Sequence, residues 1–158
     1  MNSVKIWTGT LFGAGLLPYG PGTWGSLVSL PVIYFTAIYF PVYGLYLLAA
    51  VTIALSLWAT PANEQRYGED PPQFVIDEAA GQTVTFLAVS FHYSFTQDVV
   101  ILAIGFFLFR IFDILKPLGI NKLQSLRGKY GVLFDDLLAG LYALIILEIL
   151  HKVLPTFF

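Results

Sequence analysis

Charge is what this sequence has least of. Of its 158 residues 57% are hydrophobic and 11% are charged, where an ordinary soluble domain carries roughly 25% charge. Residues 6–63, between Lys5 and Glu64, hold no Asp, Glu, Lys or Arg at all. A run of that length is too long for a soluble core helix and accommodates two bilayer crossings of about 20 residues each. Cysteine is absent altogether, which excludes thiolate catalysis, disulfides and Cys-based zinc sites. Positive charge is not in excess either. The formal net charge is -2, so nothing points to nucleic-acid binding. The composition is that of an integral membrane protein, read as a single domain over residues 1–158.

Apolar runs and their punctuation set the expected organisation. Lys5 followed by apolar residues 6–17 superficially resembles a signal peptide, but Gly9, Gly13 and Gly15 interrupt it and another apolar segment follows. A retained, membrane-embedded or interfacial segment is the expectation. Residues 18–26 form a turn-rich block. Spans are expected over 24–40, 45–60, 74–91, 98–115 and 132–154, with a hairpin at 41–44 and a polar loop at 61–73. An amphipathic connector at 118–127 and a turn at 128–131 precede the last span. The fold class is thus all-α, an integral membrane helical bundle of about four to five apolar helices plus an N-terminal glycine-rich segment. If every span crosses, Lys5, Arg66, Lys116, Lys122, Arg127 and Lys129 share one side and Lys152 lies on the other. The positive-inside rule makes the first side cytoplasmic.

The few charges that remain are patterned. Arg110, Asp113 and Lys116 are spaced by three at the end of the fourth span, so they share one stripe of a helix that is otherwise Phe and Ile. Asp77 and Glu78 begin the third span, and Asp135 and Asp136 begin the last. All five acids fall at the same membrane face. Acids at a helix start serve as caps and favour the dipole. That explains a single acid well and two consecutive pairs poorly. Asp113 stands at a helix C-terminus, where the dipole disfavours an anion, so a cation must offset it. Carboxylate oxygens gathered at one level suit a hard divalent ion such as Mg²⁺, which binds through a few carboxylates and keeps waters and phosphate oxygens. Gln82 and Thr85 follow Glu78 at helical spacing and extend a polar stripe inward.

The block Gly20-Pro21-Gly22-Thr23-Trp24-Gly25-Ser26 opens a helix. Alone it reads as a turn with a cap. Beside a carboxylate cluster, its backbone N–H groups and the Thr23 and Ser26 hydroxyls read as a phosphate cradle. It lacks the Lys-Ser/Thr ending of a Walker loop. Arg110 fits a phosphate grip and, equally, an ion pair with Asp113. Lys116 fits a headgroup contact or simple snorkelling. His92 and His151 fall at the opposite face and are not credible bases. Trp7, Trp24 and Trp58 look like interface anchors.

Four blocks then occur in one order. They are Pro21-Gly22-Thr23-Trp24-Gly25-Ser26, Val75-Ile76-Asp77-Glu78 with Gly81, Phe109-Arg110-Ile111-Phe112-Asp113 with Lys116-Pro117, and Gly131-Val132-Leu133-Phe134-Asp135-Asp136 with Gly140. This set resembles the phosphatidylglycerophosphatase A family, and Gly119 is a departure confined to a turn. The resemblance implies a multi-pass bacterial inner-membrane enzyme, its site facing the cytoplasm, that hydrolyses phosphatidylglycerophosphate to phosphatidylglycerol and phosphate with Mg²⁺. On that reading Asp77, Glu78, Asp113, Asp135 and Asp136 form the catalytic set. Asp77, Glu78, Asp113 and Asp136 are the metal ligands, and Arg110, Lys116, Thr23 and Ser26 meet the substrate phosphate. Two other classes are weighed against it. An ion-coupled transporter places its acids near the midplane, not at one face. A membrane phosphatidyl-group transferase needs an Asp-x-x-Asp-Gly pattern, which is missing.

Overall fold

The computed structural model describes residues 2–91, 94–117, 120 and 129–153. Among them the regular structure is entirely helical: α1 Asn2–Gly9, a 3₁₀ turn Ala14–Leu16, α2 Pro21–Tyr39, α3 Gly44–Tyr67, α4 Ile76–Val84, α5 Phe95–Leu115 and α6 Lys129–Val153. The expected all-α class is met. The helix starts and stops have local causes. Pro21 takes the first position of α2, where its missing N–H costs nothing, behind a left-handed Gly20. Gly68, with φ 101°, closes α3. Lys116 closes α5 in a left-handed conformation ahead of Pro117.

Four expectations need correction. The glycine block at 18–26 is not a turn throughout, since α2 starts at Pro21 and carries Thr23 and Ser26 in its opening turns. The polar stretch 61–73 is not all loop, because α3 runs on through Pro61 to Tyr67. Asn63 is buried there, and its amide donates to the Lys5 and Ala59 carbonyls at 3.0 Å each. Its polarity fastens α1 to α3 rather than breaking the helix. The third span, 74–91, is replaced by the nine residues of α4. At 1.5 Å per residue that is roughly 14 Å, under half of a bilayer core. Tight turns from Phe86 to Thr83, Leu87 to Val84 and Val89 to Phe86 follow it. The expected connector at 118–127 lies outside the described residues except for Ile120, which packs with Phe109, Ala139 and Ala143. Of the expected turn at 128–131, residues 129–131 belong to α6.

Short α4 sits at the centre, packed on α6, α3 and α2. Its contact with α6 is backbone to backbone. A Cβ on Gly140 would lie 2.2 Å from the Gly81 carbonyl oxygen, and one on Gly81 would lie 2.5 Å from that of Asp136. Around this centre large apolar side chains face outward as well as inward, and polar ones are buried among them. Val28, Val32, Phe35 and Tyr39 on α2, Phe107, Ile111 and Ile114 on α5, and Leu141, Ile145 and Ile149 on α6 face outward. Ser26, Ser29, Thr52, Ser56, Thr60, Asn63 and Gln82 are buried. Among the described residues one helix, α3, is long and apolar enough to cross a membrane by length and composition.

Candidate active site

The first turn of α4 delivers Asp77 and Glu78, and the second turn of α6 delivers Asp135 and Asp136. The close α4–α6 packing brings these pairs together. One oxygen from each of Asp77, Glu78 and Asp136 lies within 4.8 Å of the others, and Asp77 and Asp136 are buried. Within each pair the first carboxylate is fixed by the next residue's amide. Glu78 N–H donates to Asp77 Oδ1 at 3.1 Å, and Asp136 N–H donates to Asp135 Oδ1 at 3.0 Å.

The end of α5 supplies the cations. Arg110 Nη1 lies 2.6 Å from Asp113 Oδ2 and 3.5 Å from Ser26 Oγ. Lys116 Nζ reaches Asp135 Oδ2 at 2.5 Å, so the lysine is tethered inward rather than snorkelling. Burial alone would lower the Lys116 pKa, but the Asp135 carboxylate, with Asp113 and Asp136 behind it, raises it above the usual lysine value. A cavity of about 90 Å³ is walled by Asp77, Glu78, Asp113, Lys116, Asp135 and Asp136, with Asp70, Pro71, Pro72, Phe74 and Val132 at its edge. A larger cavity of about 500 Å³ opens at the α2–α3 turn, but Phe40, Val42, Leu47 and similar residues line it, and it carries no group for chemistry.

Of the expected residues, Asp77, Glu78, Asp113, Lys116, Asp135 and Asp136 line the cavity, while Arg110 and Ser26 stand behind Asp113 and outside the lining. Thr23 does not line the cavity, and its hydroxyl turns back toward Gly20. Asp113 lines the cavity but stands outside the close carboxylate trio, paired to Arg110. One contributor was not singled out from sequence, and another was read only as part of a motif. Asp70 edges the cavity from a left-handed conformation, φ 48°, just before Pro71; an Asp-Pro step so near Asp77 was the available signal. Gly22 lies against Glu78, since a Cβ there would sit 2.2 Å from Glu78 Oε1 and 3.2 Å from Arg110 Nη1. The glycine block thus matters as clearance.

Among the described residues the five acids of α4, α5 and α6 face two cations, which leaves three negative charges in excess when all are ionised, before Asp70 at the edge is counted. Buried like charges repel strongly, and the excess falls on the trio, which makes no ion pair among the described residues. Oxygen-only donors beside a guanidinium and an ammonium form the donor set of phosphoryl chemistry. In class, this is an all-helical phosphoric monoester hydrolase. The chain belongs to the phosphatidylglycerophosphatase A family, whose sequence model matches residues 7–151.

Individual relatives agree on phosphatases and differ in the lipid named. A Bacteroides thetaiotaomicron protein called "Putative phosphatidylinositol-3-phosphatase" is 39% identical over 157 residues, covering 96% of each chain. Phosphatidylglycerophosphatase A of Escherichia coli K12 is 34% identical, over 82% of this chain and 73% of its own. The Haemophilus influenzae protein of the same name is 32% identical, over 85% and 81%. No solved structure matches.

Proposed function

We propose that this protein hydrolyses phosphatidylglycerophosphate to phosphatidylglycerol and inorganic phosphate, with Mg²⁺, at the cytoplasmic face of a bacterial inner membrane. The observation that carries the reading is the trio Asp77, Glu78 and Asp136 within 4.8 Å, which makes no ion pair among the described residues and lies near Arg110 and Lys116. Its all-carboxylate donors and its excess charge fit a hard divalent cation. Asp77, Glu78 and Asp136 would hold it. Bound there, Mg²⁺ supplies Lewis-acid polarisation of the phosphoryl group. Asp113 faces the same cavity and serves mainly to hold Arg110.

The chain's own residues account for the remaining roles. Arg110 and Lys116 meet the non-bridging phosphate oxygens, whose charge grows in the transition state. Asp113 and Asp135 aim those two cations. Water forms its bond to phosphorus as the phosphorus–glycerol oxygen bond breaks, a site carboxylate takes the water's proton, and the leaving glycerol oxygen takes a proton from solvent. Ser26 supports Arg110, and Thr23 shapes the opening turn of α2. The outward apolar faces and inward polar residues support a multi-pass bundle, with the lipid's tails in the bilayer and its phosphate in the cavity. Short α4 is then a buried half-length insert among the crossing helices.

A second substrate, phosphatidylinositol 3-phosphate, is favoured by the name of the relative that matches along nearly the whole chain. One experiment separates the two. Purified protein in detergent should release phosphate from phosphatidylglycerophosphate faster than from phosphatidylinositol 3-phosphate, and only with Mg²⁺. Asp113→Asn and Asp136→Asn should abolish that release. Full activity in both variants would overturn the site, and the reverse lipid order would overturn the substrate.

A further inference from the structure

Below Glu78 the interior holds polar groups that the proposed chemistry does not use. Gln82 is fully buried, and neither its Nε2 nor its Oε1 has a hydrogen-bond partner in the protein. Ser56 Oγ, on α3, is buried and unpartnered as well. So is Glu78 Oε2. Other buried hydroxyls nearby are satisfied, since Thr60 donates to the Ser56 carbonyl, Thr83 to Ala79 and Thr85 to Gly81. A polar atom left without a partner in a dry interior carries its full desolvation cost, so the Gln82 amide and the Ser56 hydroxyl call for a partner.

Helix register places them at one depth. The side-chain position of Gly9 abuts both Asn63 and Phe74, and Ala59 and Ala79 share one buried cluster with Phe74 and Ile76 on the packed α3 and α4. Going deeper therefore runs down in number on α3 and up in number on α4. Three residues below that shared level lie Ser56 on one helix and Gln82 on the other. Gln82 is also four residues from Glu78, on the same face of α4. A carboxamide brings two donors and an acceptor, the hydroxyl one donor with acceptors, and the carboxylate an acceptor. Together they match the two to four partners of an internal water.

We propose that Gln82 and Ser56 hold an internal water site beneath Glu78, and that Gln82 is through it a positioning residue for the Glu78 carboxylate. The water's third partner is Glu78 Oε2, which fixes the carboxylate plane while leaving its other lone pairs toward the cavity. Side chains that orient a ligating carboxylate from behind change metal affinity or activity by about 10–100-fold when removed. The inference rests on the phosphatase reading for its consequence, though not for the water site itself.

The test compares wild type, Gln82→Leu, Ser56→Ala and the double variant in detergent. Gln82→Leu should lower kcat by about 10-fold or more with KM within about twofold. Ser56→Ala, a small change that leaves packing almost intact, should lower kcat in the same direction. In metal-free protein, melting temperature should not rise in Gln82→Leu, because the water it displaces had satisfied Ser56 and Glu78. Radiolytic hydroxyl-radical labelling should mark the α4 peptide in wild type and lose that mark in the double variant. Wild-type kcat in Gln82→Leu, or a raised melting temperature in that variant, would overturn the proposal by showing a dry amide that only packs. If wild type releases no phosphate from any lipid phosphomonoester, the function fails, and the metal-free melting and labelling still decide the water site.

Discussion

Replacing Gly22 by alanine should separate folding from chemistry. Gly22 lies in the first turn of α2 with an ordinary helical backbone, so alanine meets no conformational penalty and gains up to about 1 kcal/mol of helix propensity. The added Cβ would stand 2.2 Å from Glu78 Oε1 and 3.1 Å from its Cδ. A carbon and an oxygen approach to about 3.3 Å at closest. The carboxylate must therefore move by about 1 Å, and it is able to, because it ends a flexible side chain. Arg110 Nη1, at 3.2 Å, needs to yield only slightly. The fold absorbs the change, but Glu78 no longer shares its former spacing with Asp77 and Asp136.

Misplacing a reacting group by 1 Å costs about 100-fold in rate, or about 2.7 kcal/mol of transition-state stabilisation. The assay is phosphate release from phosphatidylglycerophosphate in mixed micelles, run beside thermal denaturation of the same preparation. The expected result is a wild-type or slightly raised melting temperature with about 1% of wild-type kcat/KM. Alanine keeps the backbone N–H, so the loss belongs to the Cβ and not to a missing donor. A variant within threefold of wild type would refute the claim that Gly22 serves as clearance for Glu78. A variant that fails to fold would refute it too, by showing that Glu78 cannot yield.

The other glycine contact predicts the opposite split. In Gly140→Ala the new Cβ meets the Gly81 carbonyl at 2.2 Å, a backbone atom with nowhere to go, so overpacking should cost about 1–3 kcal/mol or more and lower the melting temperature. An unchanged melting temperature would show that α4 and α6 are not held this closely. Lys116 gives a pH prediction. Its folded pKa is raised, so its contribution to stability is full below the unfolded value of about 10.4 and is lost as pH rises through the higher folded value. As pH rises from neutral, the melting gap between wild type and Lys116→Met should persist and close only above about pH 10. A gap already closed by about pH 8 on the alkaline side would refute the pairing with Asp135.

The site was more legible than the helices that carry it. Charge is so scarce here that the few acids and bases stand out, and their i, i+3 and adjacent spacings already imply one face. The spans were misread where hydropathy and helicity part company. Residues 85–91 are as apolar as a span, yet the chain turns there after α4. Residues 61–67 are polar, yet helical, because buried Asn63 is fastened by two carbonyls. Neither fact is visible in a local window, since each depends on what packs against the segment. Gly22 was legible as part of a motif but not as clearance, because that role needs Glu78 opposite it in space.

Asp113 shows how geometry redistributes the roles of a set of like residues. An anion at the C-terminal end of a helix opposes the dipole, and the sequence left open whether an arginine, a lysine or a metal offsets it. Arg110 does so at 2.6 Å, and Lys116 turns instead to Asp135 at 2.5 Å. Two of the five acids are thereby neutralised by direct partners. The three that remain are the ones whose oxygens approach one another within 4.8 Å. Among the described residues, ion pairing and distance single out the same trio. Asp113→Asn and Asp136→Asn should therefore differ in kind: the first loosens the aim of Arg110 on phosphate, and the second removes a ligand. Raising Mg²⁺ should recover part of the activity lost in the second and none of that lost in the first.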